Sequence, residues 1–460
     1  MTETLPFLSG GDASTTPIHA IRTGEWSTWV ERHSDVLRRL AAAHDFTAQN
    51  GRILLIPATD GSIERVLFGL GDKANAMAMG ALAQNLPAGD YRIASAPREF
   101  AATLVATAWG LGAYAFDRYK KRKRPAPRLA APEGADMADA SRMVLASWLA
   151  RDLVNTPTND MGPEAVQLAA EAVAHRYGAS FTAVVGKALL DMGFPLIHAV
   201  GRAALQAPRL LHLSWGEANG PRLALVGKGV TFDTGGLDIK PSASMRLMKK
   251  DMGGAAHALA LAQLVMDARL PVKLDVFLPV VENSISGDAF RPGDVIKSRK
   301  GVTVEIDNTD AEGRLILADA LARASEDQPA LLLDFATLTG AARTALGPDI
   351  PPFYANDDAL AAELASASSE TSDPIWRMPL WDAYESDMDS PVADLKNTGD
   401  GAFAGSIYAA LFLRRFVGAP AWAHFDIFAW APKERASRPA GGEAQALRAC
   451  WRVLRSRFGS

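Results

Sequence analysis

A chain of 460 residues exceeds what one hydrophobic core usually supports, so two domains of unequal size are expected. Apolar residues at 48% and charged residues at 22% exclude a disordered chain, and a net charge of −4 gives no whole-protein attraction for nucleic acid or anionic lipid. The single cysteine, Cys450, excludes an intrachain disulfide and a cysteine-rich zinc site.

Residues 1–14 carry no basic segment followed by an apolar core, so no secretory signal is read and a cytoplasmic protein is expected. Apolar runs at Arg52–Pro57 and Arg65–Gly69, with a helical stretch from Glu99 to Tyr119, predict short strands with covering helices. The uncharged run Phe100–Phe116 is too short and too weakly hydrophobic to span a bilayer and reads as a buried helix. A basic, proline-rich stretch, Lys120–Arg128, leads into Pro132-Glu133-Gly134 and reads as a linker. This gives a smaller N-terminal α/β domain at 1–134, a connecting helix and linker at 135–160, and a larger domain at 161–460. Ala138–Val154 is amphipathic and helical, and Asn155-Thr156-Pro157 stops it.

Beyond it, strand-like runs at Arg209–Ser214, Arg222–Val226, Lys273–Val281, Val302–Ile306, Ala330–Phe335 and Ala423–Ile427 alternate with helical patterns near Gly254–Ala268, Arg314–Glu326, Ala404–Val417 and Glu443–Arg457. The alternation predicts an α/β fold, with a largely parallel, helix-covered sheet that collects binding groups at the carboxyl ends of its strands. Pro351-Pro352 and Asp394–Gly405 read as loops over that edge.

After the run Arg222–Val226 comes Gly227-Lys228-Gly229-Val230-Thr231-Phe232-Asp233-Thr234-Gly235-Gly236. A phosphate loop needs Gly-Lys-Ser/Thr opening a helix, which is absent, but a glycine-rich turn with a solvated lysine stays open. Lys240 precedes Pro241, and Asp251 opens a helix that it could simply cap. The sharper signal is Asn308-Thr309-Asp310-Ala311-Glu312-Gly313-Arg314, whose two acids and arginine project to one side if the backbone is extended. Four carboxylates brought together repel one another unless cations compensate, and paired divalent ions are a recurring hydrolytic device. No His-Glu-x-x-His occurs, and His257 reads as packed rather than liganding.

The segments Val226–Gly236, Leu237–Pro241, Lys250–Ala256 and Asn308–Leu315 resemble the signature stretches of the leucyl (cytosol) aminopeptidase family. Arg151–Asn155, Ala336–Ala341, Asp394–Gly405 and Trp422–Ile427 support the match, which covers roughly 145–430; in the N-terminal part only Phe116–Lys120 is similar. The resemblance implies that the larger domain is a metallopeptidase whose strand ends hold two divalent ions, manganese or zinc. Lys228, Asp233, Asp251, Asp310 and Glu312 would be the ligands, with Asp233 and Glu312 bridging. Lys240 and Arg314 would be catalytic, Arg314 through a bound bicarbonate. Met248, Thr337, Leu338 and Gly340 would line the pocket for the departing residue. The implied activity is removal of the N-terminal residue of peptides, apolar first residues being preferred, by a homohexamer with no membrane partner.

Two ions then carry four positive charges against the four negative ones of Asp233, Asp251, Asp310 and Glu312. Lys228 can ligate only as the neutral amine, whereas a charged Lys240 suits an oxyanion. Downstream the chain departs from the family: Phe428-Ala429-Trp430 follows Asp426-Ile427 where a glycine is usual, in a region that shapes the side-chain pocket. Two other readings compete. A two-metal phosphoesterase would want histidine ligands, which these motifs lack. A DNA-binding or regulatory scaffold with the aminopeptidase fold has only the basic run Lys120–Arg124 in its favour, so no nucleic-acid partner is expected.

Overall fold

The computed structural model describes residues 5–10, 14–122 and 125–459, so Lys123 and Arg124 of the basic run lie outside the described residues. The chain forms two compact units, Met1–Trp148 with Lys433–Ala440, and Leu149–Pro432 with Gly441–Ser460. They divide within one helix, Met137–Asn155.

In the first unit, strands β1 (Thr16–Arg22), β2 (Ile53–Pro57), β3 (Ile63–Gly71), β4 (Asp90–Ser95) and β5 (Arg128–Leu129) form a sheet in the order β2-β3-β1-β4-β5. Side chains alternate between its faces, and both faces are apolar. Ile18, Ala20, Val66 and Phe68 join a core with Leu82 and Trp109, while Ile21, Leu54, Ile56 and Leu67 join another with Leu37 and Ala41. Helices therefore cover both sides: α1 (Asp35–Ala43) on one, α2 (Gly80–Asn85) and α3 (Ala102–Gly112) on the other. The helix expected over Glu99–Tyr119 is shorter at both ends, and the two glycines of its last turn weaken its continuation. Part of the stretch read as a linker is the edge strand β5, whose two residues are too few to show alternation.

The second unit begins with the end of α4 (Met137–Asn155). Its strands are β6 (Ser180–Val185), β7 (Arg209–Gly216), β8 (Arg222–Gly227), β9 (Gly229–Asp233), β10 (Lys273–Asn283), β11 (Val295–Lys297), β12 (Thr303–Glu305), β13 (Leu331–Ala336), β14 (Pro352–Ala355), β15 (Trp376–Arg377), β16 (Leu395–Lys396) and β17 (Trp422–Asp426). The main sheet runs β15-β14-β17-β13-β8-β10-β7-β6, with β9 also paired to β10. Its centre, β17-β13-β8-β10, is parallel as expected, but β14, β7 and β6 pair antiparallel at the margins. The central strands are buried nearly throughout, as strands covered on both faces must be.

Three expectations fail here. Asp394–Gly405, read as a loop, contains strand β16. Pro352 starts strand β14 rather than a loop, an allowed place for a residue without a ladder donor. The run Val302–Ile306 is not in the main sheet: β12 is three residues long and pairs with β11 and β16 in a separate small sheet. The remaining helices used below are α5 (Pro195–Gly201), α6 (Gly253–Asp267), α7 (Glu312–Glu326) and α8 (Gly340–Leu346). Helix α6 is apolar all round and buried all round, packed against β8, β10 and β13. Among the described residues, no helix is long and apolar enough to cross a membrane.

Candidate active site

Strands β8 and β9 are one strand interrupted at Lys228. β10 pairs with β8 up to Val226 and resumes with Gly229, so Lys228 turns out of the ladder. Its backbone is tied on both sides, donating to Phe335 O and accepting from Ala255 N. The side chain passes over Gly313, where an added Cβ would stand 2.7 Å from Nζ, and its amide lies against Gly254, where a Cβ would stand 2.7 Å from N. Such separations are forbidden, so these glycines make room for the lysine. Nζ lies 2.9 Å from Glu312 Oε1 and 2.7 Å from Asp251 Oδ2, and donates to Thr337 O.

Asp233 closes β9 and is oriented by two donors, Gly235 N and Asn283 Nδ2, both 2.9 Å from Oδ1. Its Oδ2 faces Lys240 Nζ at 2.8 Å, and Lys240 pairs with Asp310 as well. Asp251 does not cap α6, whose N-cap is Met252 without a side-chain bond; it accepts instead from Thr337 Oγ1 at 2.7 Å. The backbone through Asp310–Arg314 is not extended, so the one-sided projection that an extended chain would give does not apply. Asp310 sits in a turn made by Asn308 Oδ1 accepting from its N–H, and Glu312 is the first residue of α7. Turn and helix start still bring the acids together: one oxygen each of Asp233, Asp310 and Glu312 lie within 4.8 Å of one another.

Burial and the charge of Asp233 push Asp310 up to about 6 and Glu312 up to about 8. Burial alone would depress Lys228 and Lys240, but the surrounding carboxylates outweigh it and hold both well above the ordinary lysine range. The cluster thus draws cations in. Glu312 Oε2 and Asn283 Oδ1 are buried without a hydrogen-bond partner, which supports further cations among these oxygens. An oxygen-rich donor set with one amine fits hard or borderline divalent ions.

Arg314 is buried, which lowers it to about 10 against Glu312 and Asp426. Its Nη1 donates to Asn397 O at 2.6 Å while Nε has no partner, leaving a donor that fits a small anion. A cavity of about 300 Å³ is lined by Lys228, Asp233, Lys240, Asp251 and Asp310 at one end, and by Met248, Thr337, Leu338 and Gly340 beyond them. Four of the five expected ligands therefore share one space with the expected pocket residues; Glu312 and Arg314 do not line it, and Glu312 joins the group through its ion pair with Lys228.

The same cavity holds two cationic residues that the sequence did not single out, Lys250 and Arg343, beside Ile427 and Phe428 from the divergent stretch that it did. Arg343 is bound to Asp426, which also accepts from Leu338 N, Thr339 N and Thr339 Oγ1 and so ties α8 to the end of β17. Gln445 Oε1 accepts from Phe428 N and Ala429 N, and Gln445 N donates to His257 Nε2. His257 is packed, as expected, with Nδ1 donating to Gly253 O. Around the acids, Thr309 Oγ1 donates to Gly235 O and Asp238 Oδ2 accepts from Thr309 N, which locks two signature loops together. Asn397 Oδ1 accepts from Asp307 N and Asn308 N. Thr309 and Asp238 lie inside segments already singled out, but Asn283 and Gln445 carry no local signal.

Residues 148–451 match the catalytic domain of the cytosol aminopeptidase family, and residues 16–132 match the M17 aminopeptidase N-terminal domain. A probable cytosol aminopeptidase of Corynebacterium glutamicum is 38% identical over 91% of this chain and 88% of its own length. Another, from Geobacter sp. strain M21, is 39% identical over 91% of each. Among solved structures, cytosol aminopeptidase from Coxiella burnetii superposes with a TM-score of 0.93 at 43% identity, covering 98% of this chain and 99% of that one. The bottromycin maturation enzyme BotP in complex with Mn superposes with a TM-score of 0.87 at 34% identity, covering 97% and 100%.

Proposed function

The chain belongs to the cytosol aminopeptidase family and is a peptidase, and we propose that it removes the N-terminal residue of peptides using two divalent metal ions. Lys228, Asp233, Asp251, Asp310 and Glu312 would hold the ions. The observation that carries this is the convergence of Asp233, Asp310 and Glu312 oxygens within 4.8 Å, together with the unpartnered Glu312 Oε2. The manganese complex of BotP supports manganese as one of the ions, with zinc as the other candidate.

Bound ions supply an acidified water and polarise the scissile carbonyl. The protein's own groups do the rest. Lys240, kept charged by Asp233 and Asp310, stands to stabilise the oxyanion of the attacked carbonyl. Arg314 has no proton to give at neutral pH, so its unpartnered Nε supports holding a bicarbonate that moves protons. The substrate's free amine must approach the acid cluster, which an internal peptide bond cannot provide. Met248 and Leu338, with the backbone at Gly340, offer an apolar wall to the first side chain and support acceptance of residues such as leucine.

The test is hydrolysis of leucinamide and N-acetyl-leucinamide by chelator-stripped protein refilled with manganese or zinc. Metal-restored cleavage of the free amine alone is expected. Full activity in metal-free protein, or equal cleavage of the acetylated substrate, would overturn the reading. The expected homohexamer is read separately, from the mass in solution.

A further inference from the structure

Four cations line the cavity, and three are matched: Lys228 by Asp251 and Glu312, Lys240 by Asp233 and Asp310, and Arg343 by Asp426. Lys250 is the exception. Its side chain is buried, yet among the described residues its Nζ makes neither a hydrogen bond nor an ion pair. What it has is the ring of Phe428, 4.7 Å from Nζ to the centroid. A ring face is a weaker partner for an ammonium than a carboxylate, and the ammonium stays open to the cavity. The neighbouring carboxylates are already engaged, Asp251 with Lys228 and Thr337, and Asp426 with two backbone amides, Thr339 Oγ1 and Arg343. A buried, unmatched cation lining a ligand cavity is a site awaiting an anion.

The place of that anion follows from the substrate. With its amine and scissile carbonyl at the acid cluster, a peptide would place its first side chain among the other lining residues, Met248, Leu338, Ile427 and Phe428. Lys250 lines the same cavity. We propose that Lys250 selects an acidic first residue, its ammonium pairing with the side-chain carboxylate while the aliphatic stem lies along Met248 and Leu338. Glutamate, with the longer stem, is the better of the two acids. Leucine fits the same walls but leaves Lys250 without a partner. Phe428 acts as a positioning residue: held by Gln445 through its own amide, it keeps the lysine from folding away.

This proposal rests on the aminopeptidase reading, and the test separates the two. The manganese-loaded protein is assayed on glutamyl and leucyl p-nitroanilides, and kcat/KM is compared as a ratio, which cancels any difference in active fraction. The ratio is expected to favour glutamate in the wild type and to fall about a hundredfold in Lys250→Met. Lys250→Arg, which restores the charge, should recover much of it. Inhibition by free L-glutamate should exceed that by L-leucine in the wild type, a comparison that needs no variant to fold. A ratio unchanged in Lys250→Met, or a wild type that cleaves leucyl but not glutamyl substrate, overturns the proposal. Cleavage of neither substrate by metal-loaded wild type brings down the aminopeptidase reading, and this proposal with it.

Discussion

The two ends of the cavity handle buried charge in opposite ways. At the acid end each lysine is matched by two carboxylates, an excess of acid that favours further cations while the ion pairs set the geometry. At the side-chain end Lys250 faces an aromatic ring, and the wall carrying that ring is held from behind by neutral groups, Gln445 and His257. On this reading the proposed chemistry sits at the matched end and the proposed discrimination among substrates at the unmatched one.

Removing a charge at the acid end should therefore have the largest effect, and the two lysines should fail differently. Lys240→Met is expected to keep both metals and to lower kcat by about a hundred- to a thousandfold, the loss usual for one oxyanion donor. Lys228→Met and Glu312→Ala should instead weaken metal binding. Metal content by elemental analysis, set beside single-turnover rates, separates the cases. Loss of metal from Lys240→Met, or two ions retained at unchanged affinity in Glu312→Ala, would show that the matched end is not organised as described.

A smaller effect is expected from a residue without charge. Gly313→Ala places a methyl against the stem of Lys228. Alanine gains roughly 1 kcal/mol of helix propensity, whereas overpacking a tight site costs about 1–3 kcal/mol. The clash wins. Displacement of the lysine should weaken metal affinity about ten- to a hundredfold, the range for groups that orient metal ligands. Wild-type manganese affinity in this variant would mean that Lys228 has room to spare.

The acid end was readable in sequence because its acids and lysines cluster in glycine-rich segments next to strands. Asp233, Asp310 and Glu312 were singled out together without the backbone around Asp310 being fixed by the sequence: a turn followed by a helix start aims the side chains as well as an extended strand would. The fold's parallel centre was readable for a similar reason, since long apolar runs alternate with helices. The shortest edge strands were not, because β5, β15 and β16 are two residues long and show no period. The side-chain end was barely readable. Lys250 lies beside a recognised ligand and looks like a solvated lysine until burial is known, and Gln445 supports Phe428 from far along the chain.

The support behind Phe428 gives a prediction in pH. Burial lowers His257 to about 4 from 6.5, so the folded protein holds it neutral while the unfolded chain protonates near 6.5. Its contribution is present above about 6.5 and lost as pH falls from there toward 4. Stability should drop by about 1–2 kcal/mol at pH 5 from this group. His257→Gln retains a donor and an acceptor and should flatten that part of the profile. Equal acid sensitivity of the variant and the wild type in urea melts between pH 7 and 5 would show that His257 does not couple the wall to pH.

The smallest effect is expected at Ala429, next to Phe428, which holds a φ of +54°. A side chain in the left-handed region costs roughly 1–2 kcal/mol, which argues for glycine there. Against this, glycine loses about 0.5–1 kcal/mol more in conformational entropy on folding, and the methyl it would lack is fully buried, a loss of about 0.8 kcal/mol. The terms nearly cancel. Ala429→Gly should change stability by less than about 1 kcal/mol and the glutamyl to leucyl ratio by only about two- to threefold, because Gln445 still accepts from the amides of Phe428 and of residue 429. A larger shift in the ratio, with stability unchanged, would mean that the strained backbone rather than Gln445 fixes the ring beneath Lys250.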